Sequence, residues 1–251
     1  MLTKNQIKYY SSLLNKKFRQ QEKKFIAEGI KLVAEALGSG YTCEIIIALK
    51  ESTAEDLIKQ LNRKKINTEV VKSTDFEKLC DTKNPQGIIG IFHFKQQSQL
   101  DFEHEKLVVA LENISDPGNV GTILRNCDWF GVKNILLSPD CAEIYNPKVI
   151  RASAGSGFHL NISDEKDFYN VLKKQKQNGF VILCADLNGE NLYTFTGNQK
   201  MILVLANEAN GPTNNLLEIC DSKITIPGKG NAESLNVASA SAVILSELTR
   251  K

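Results

Sequence analysis

MILVLANEANGPTNNLLEICDSKITIPGKGNAESLNVASASAVILSE, residues 201–247, is the stretch whose reading decides the fold. Two apolar strand candidates, 202–205 and 223–226, each run into a polar, glycine-bearing loop, and a small-residue helix candidate over 235–247 follows the second loop. An apolar strand emptying into Asn, Glu, Ser and Gly is how open α/β sheets make ligand crevices at their strand ends.

Outward from this stretch the same alternation continues. Strands are predicted at 107–111, 134–137 and 180–185, with helices from the loop ENISDPGNVG to about residue 130, near 147–154 and over 167–177. Continuous apolar strands alternating with helices indicate a parallel sheet covered on both faces. Residues 1–95 read as a smaller α/β domain. A helical stripe (Ile7, Tyr10, Leu13, Leu14) leads to a short strand at 25–26 and a helix over 29–37 stopped by Gly38 and Gly40. Strands at 43–49, 68–71 and 87–94 follow, with helices at 54–65 and 74–79. Residues 96–105 are polar and without periodicity, a linker to the domain over 106–251.

The net charge is only +2, yet residues 1–40 carry eight Lys/Arg against three Glu. A basic face on a near-neutral chain suits a polyanion, or equally a solvated helix surface. The six cysteines are scattered without CxxC, and the three histidines have no ligand spacing, so no metal site and a reducing compartment are expected. No run approaches transmembrane length and the start, MLTKNQIKYY, has no signal-peptide core, so the cytoplasm is the expected location.

Three loops carry chemistry. In NISDPGNVGTILRNCDWFG, Asp116 and Pro117 form an N-cap and N1 pair, and Arg125 lies six residues after Asn119. A helix start plus Arg makes an anion site, although a surface Arg on a capped helix has the same local pattern. Glu208 in LANEANG reads as a ligand-facing carboxylate or a solvated one. In IPGKGNAESLN, Ser234 is a natural N-cap for a helix starting at Leu235.

Together, DPGN-VG-x3-RN, LANE-x2-G and IPGKG-x3-SLNV resemble the three motifs of the SpoU (TrmH-like) RNA 2'-O-ribose methyltransferases, in the SPOUT superfamily, from about Leu107 to Leu248. NPKVIRASAGSGFHL is similar to the intermediate helix and loop. FIAEGIKLVAEAL and NPQGIIGIF resemble, more weakly, a substrate-binding domain related to small ribosomal proteins. The resemblance implies a SPOUT-type α/β methyltransferase domain with a parallel sheet knotted as a trefoil, preceded by a small α/β RNA-binding domain. It implies S-adenosylmethionine as cofactor, gripped largely by backbone of Leu205, Ala206, Gly211, Ile226 and Leu235. It implies a homodimer acting on RNA and not DNA, on ribosomal more than transfer RNA, with the RNA across the basic domain and the dimer groove.

The catalytic set implied is Arg125, Asn119, Glu208, Ser234 and Asn236; Lys16, Lys17, Lys23, Lys148 and Arg151 are candidate phosphate contacts that hold position, each equally readable as an ordinary surface cation. The family usually has glycine at Ala206 and often at Ala209; alanine adds a methyl where the cofactor approaches and resists positive φ. Other classes stand against this. A non-catalytic RNA-binding or ribosome-assembly protein would keep the fold without the cofactor. A nucleotide-dependent oxidoreductase needs a GxGxxG after its first strand, which Gly118 and Gly121 do not supply. A thiol-based methyltransferase needs an activated loop cysteine, and Cys127 lies inside a helix.

Overall fold

The computed structural model describes residues 2–50, 66–95, 100–197, 199–207 and 210–250. In chain order the first part holds α1 (Lys4–Ser12), α2 (Lys16–Glu22), β1 (Lys24–Glu28), α3 (Ile30–Gly38), β2 (Cys43–Leu49), β3 (Thr68–Val71), α4 (Ser73–Phe76) and β4 (Ile88–His93). Next come β5 (Leu107–Glu112), α5 (Pro117–Trp129), β6 (Asn134–Leu137), α6 (Pro147–Ala152), β7 (Asn161–Asp164) and α7 (Phe168–Gln177). The chain closes with β8 (Val181–Asn191), β9 (Met201–Ala206), α8 (Asn214–Ile219), β10 (Ser222–Thr225) and α9 (Val237–Leu248). The helix expected at 54–65 lies outside the described residues. These elements form two units, Met1–Gln96 with Glu143–Phe158, and Gln97–Ala142 with His159–Lys251.

Period-two alternation builds the first unit. Its sheet has the order β1-β4-β2-β3, with β4 antiparallel to both neighbours and β2 parallel to β3. Ile26, Ile45, Ile47, Ile89 and Ile91 point to one face, against Ile7, Tyr10 and Leu13 from the α1 region. Phe25, Ala27, Ile46, Ile88 and Phe92 point to the other, against Leu32, Val33 and Ala36 of α3. Each Ile, Leu, Val or Phe among them, fully buried, contributes about 1.5–3 kcal/mol.

Segment 143–158, read above as part of the second domain, packs into this first unit. Tyr145 stacks on Phe25 at 4.7 Å between centroids and on Phe94 at 3.9 Å. Glu143 meets the buried Arg19 at 2.7 Å, and Arg19 also donates to the carbonyls of Leu13 and Leu14. A buried guanidinium needs those partners, because an uncompensated charge there is strongly destabilising.

The second unit contains six parallel strands in the order β10-β8-β9-β5-β6-β7. Val108, Ala110, Ile182, Ile202 and Val204 fill one face against Phe168 and Leu172 of α7 and Leu216 and Ile219 of α8. Helices α5 and α9 pack on one another, and α9 contacts β9. This is the covered parallel sheet expected from the sequence. The register sets Glu112 of β5 beside Ala206 of β9, so the loops leaving those strands start side by side. β7, α2 and α8 have no counterpart among the expected elements: NISD at 161–164 carries one apolar residue, and α2 is mostly polar.

Candidate active site

The first loop folds as its cap residues dictate. Asp116 is the N-cap of α5, its Oδ1 accepting from the Asn119 amide at 2.9 Å, with Pro117 at N1. Gly131 follows the helix with φ +75, the left-handed value a C′ residue needs. The start of α9 differs from expectation. Asn236, not Ser234, is its N-cap, with Oδ1 accepting from the amides of Ala238 and Ser239, and the helix begins at Val237. Within NAESLN an Asn and a Ser compete for the cap, and Asn236 also reaches a partner. Its Nδ2 donates to Asn119 Oδ1 at 3.0 Å, joining the first and third motifs.

Two further asparagines, absent from the set expected from sequence, complete the joinery. Asn126, two helical turns after Asn119, donates to Ala238 O and Ser241 Oγ, each at 2.9 Å. The seven-residue spacing places both on one face of α5 and is a readable signal. Asn207 donates to the carbonyl of Asn113 at 2.9 Å, linking the loop after β9 to the loop after β5. No sequence pattern announces that contact.

A cleft of about 860 Å³ opens at the carboxyl ends of β8, β9 and β10. One wall comes from a break in register. Lys223 pairs with Cys184 but Ile224 pairs with Glu190, so the residues between leave the ladder, and Ala185, Asp186, Leu187 and Asn188 line the cleft. Gly189 permits this, since a Cβ there would lie 2.5 Å from backbone of Ile224. All five expected cofactor residues, Leu205, Ala206, Gly211, Ile226 and Leu235, line the cleft, as does Ser234. Its volume falls within the roughly 300–1,000 Å³ of small-molecule sites, and its lining combines apolar side chains with loop backbone, which suits a nucleoside-bearing ligand. Gly211 has φ +63, where glycine is favoured, whereas Ala206 closes a regular strand and is not among the residues of positive φ. The methyl of Ala206 therefore carries no backbone strain.

The other expected residues distribute as follows. Arg125 is exposed on α5, is not among the cleft-lining residues, and has no hydrogen-bond or ion-pair partner among the described residues. Glu208 and Ala209 lie outside the described residues. Lys16, Lys17, Lys23, Lys148 and Arg151 all belong to the first unit, the four lysines exposed. Arg151 is half-buried and its Nη2 pairs with Asp81 at 2.5 Å, so it is partly committed within its own unit. Burial pushes the thiol of Cys127 up, as suits an inert core cysteine. Cys220 is the exception among the thiols: the neighbouring Cys184 lowers it from its ordinary value, but it does not line the cleft.

Known proteins share this fold. Residues 106–246 match the SpoU rRNA Methylase family, and residues 4–90 match an MRM3-like substrate binding domain. A TrmH-family protein of known structure from Porphyromonas gingivalis is 32% identical, with a TM-score of 0.86 over 100% of this chain and 99% of that one. An AdoMet-bound rRNA methyltransferase from Sinorhizobium meliloti gives 27% identity and a TM-score of 0.84 over 100% of this chain and 96% of that one. The 23S rRNA (guanosine(2553)-2'-O)-methyltransferase RlmP of Bacillus subtilis is 29% identical over 98% of this chain and 96% of its own.

With these likenesses, the fold is that of an S-adenosylmethionine-dependent RNA methyltransferase. The chain belongs to the SpoU rRNA Methylase family.

Proposed function

We propose that this protein methylates a ribose 2'-hydroxyl of ribosomal RNA and does so as a cytoplasmic homodimer. The observation that carries the reading is the Asn236–Asn119 hydrogen bond, which brings residues 117 apart in the chain to one end of the sheet, beside a cleft lined by every expected cofactor residue. Leu205, Ala206, Gly211, Ile226 and Leu235 would hold S-adenosylmethionine, whose sulfonium supplies an electrophilic methyl. The trefoil threading of the C-terminal segment is part of the reading, supported by the TM-score of 0.86 to a TrmH-family structure.

The protein's own task is to align a 2'-oxygen and to ease loss of its proton. Correct alignment of two bound reactants accounts for several kcal/mol of acceleration, up to roughly 7–11. A guanidinium holds its proton tenaciously, so Arg125 serves best by stabilising the developing alkoxide and gripping the neighbouring phosphate. Asn119, Glu208 and Ser234 orient it and the ribose, and Asn236 supports them through its bond to Asn119. Arg125 stands outside the cleft lining of its own chain, and Trp129, one turn further along α5, is 83% exposed. An exposed Trp beside a functional Arg fits a protein interface, so the site is completed at the contact with a second copy.

The basic residues Lys16, Lys17, Lys23, Lys148 and Arg151 contact phosphates and fix the position of the RNA without reading its sequence. None of the described helices is long and apolar enough to cross a membrane. Mapping ribose methylation in cells lacking the protein tests the whole reading. Loss of a site in ribosomal RNA is expected; loss confined to transfer RNA would change the substrate, and no lost site would favour the non-catalytic RNA-binding protein.

A further inference from the structure

The residues that end β5 do more than terminate a strand. Glu112 is fully buried, and its carboxylate accepts from Thr213 Oγ1 at 2.6 Å, from the Thr213 amide at 3.1 Å and from Tyr169 Oη at 2.8 Å. Thr213 in turn caps α8, its Oγ1 accepting from the Leu216 amide at 3.2 Å. The next residue, Asn113, sits at φ +57, a left-handed conformation that outside glycine favours asparagine. That turn is held by Ser138, whose Oγ accepts from the Asn113 amide at 2.9 Å and donates to Asn113 Oδ1 at 3.0 Å. So placed, the Asn113 carbonyl accepts from Asn207 Nδ2 at 2.9 Å.

Two adjacent residues thus grasp the chain beyond β9 at two points, Asn207 and Thr213. Between those points, Gly211 and Pro212 line the cleft together with Asn207, and the Gly211 amide donates to the Asn207 carbonyl at 2.9 Å. A buried carboxylate with three donors costs desolvation energy that hydrophobic packing would avoid. Its presence at this place calls for a return, and the return is geometric.

We propose that Glu112 and Asn113 are positioning residues for the methyl donor, setting Asn207, Gly211 and Pro212 from both flanks while touching neither substrate nor cofactor. The inference rests on the reading of the cleft as the S-adenosylmethionine site. It differs from a purely structural role in what it predicts. A structural defect would lower the amount of active protein, whereas a misplaced cofactor wall weakens cofactor affinity in protein that is otherwise folded.

The variants are Glu112→Gln, which weakens the acceptor, and Thr213→Val, which removes the hydroxyl but keeps the shape, with Thr213→Ser to restore it. For Glu112→Gln and Thr213→Val the KM for S-adenosylmethionine is expected to rise about tenfold, the effect of losing one charge-assisted hydrogen bond. The kcat at saturating cofactor and the KM for RNA are expected to stay within about twofold of the parent protein. Thr213→Ser is expected to recover the parent KM. Equal KM values in all the proteins, or a fall in kcat alone, would overturn the proposal.

A second measurement separates this idea from the reading beneath it. If calorimetry of the parent protein with S-adenosylmethionine shows no binding, the cofactor reading fails by itself. Amide hydrogen exchange in the ligand-free proteins then decides the positioning role. Exchange at Gly211 and Thr213 faster by about tenfold in Glu112→Gln supports it, corresponding to one lost hydrogen bond; unchanged exchange refutes it.

Discussion

Asn236 Nδ2 lies 3.0 Å from Asn119 Oδ1, and the Oδ1 of the same Asn236 accepts from the amides of Ala238 and Ser239. One side chain therefore starts the C-terminal helix and ties it to the start of α5. The two tasks use opposite ends of the amide, so they can be separated.

Asn236→Asp keeps the acceptor that caps α9 but has no N–H to offer Asn119. Its stability is expected within about 1 kcal/mol of the parent, because the cap persists, while methyl transfer falls roughly tenfold from the broken link. Asn236→Ala loses both, adding the ~1 kcal/mol of a missing N-cap. Denaturant unfolding and initial rates distinguish the two variants. Equal loss of stability in both would show that the cap and the link are not separable.

Gly189→Ala is expected to damage the cleft without touching its ligand. The new Cβ would lie 2.5–2.6 Å from the Ile224 backbone, a clash that no flexible side chain can relieve. The strands must part where the register breaks, moving the wall formed by Ala185–Asn188. Overpacking of this kind costs about 1–3 kcal/mol. Calorimetry should show weaker S-adenosylmethionine binding, and unchanged affinity with unchanged stability would contradict the close approach.

Lys16→Glu/Lys17→Glu is expected to weaken RNA binding and to flatten its dependence on salt. Both side chains are exposed at the start of α2, whose N-cap is Asn15. Each lysine–phosphate pair removed reduces the slope of log affinity against log salt by about 0.7–0.9. Anisotropy titrations at several salt concentrations read the slope directly. A parallel shift with no change of slope would mean that these lysines do not meet phosphates.

Cys220 should be the most readily alkylated thiol near neutral pH. The neighbouring Cys184 lowers it from its ordinary value, whereas burial pushes Cys43 up to about 11 and Cys80 up to about 12. The thiolate is the nucleophile, so labelling of Cys220 by iodoacetamide should rise through half its maximum at a lower pH than that of Cys43 or Cys80. Cys184→Ala removes the neighbouring thiol and should move that midpoint upward. A midpoint unmoved by the substitution would assign the acidity to another cause.

Much of the fold is legible because short runs rich in apolar and β-branched residues, bounded by polar stretches, read as strands. The bounds of Cys43–Leu49, Thr68–Val71 and Asn134–Leu137 match their sequence expectations residue for residue. The edge strand β7 escapes such a reading because it is only four residues long and Ile162 alone among them is apolar. Segment 143–158 lies within the second half of the sequence but packs with the first unit, through aromatic contacts of Tyr145 that no spacing rule reveals. Near the cleft, the first and third motifs meet through Asn119 and Asn236, and the cap of α9 falls to Asn236 where the sequence offers Ser234 as an equally good candidate. Asn113 and Asn207 are invisible in the sequence, since their pairing depends on a left-handed turn and on strand register.

The most direct measurement is the fate of a labelled methyl group. Ribosomal RNA is incubated with the protein and S-adenosylmethionine tritiated on its methyl, digested to nucleosides and separated. Label in a single 2'-O-methylnucleoside is expected, falling by about 100-fold in Arg125→Lys, as for loss of an oxyanion donor, with cofactor affinity unaltered. Label on a base, no label at all, or an Arg125→Lys protein as active as its parent would contradict a ribose methyltransferase built around that guanidinium.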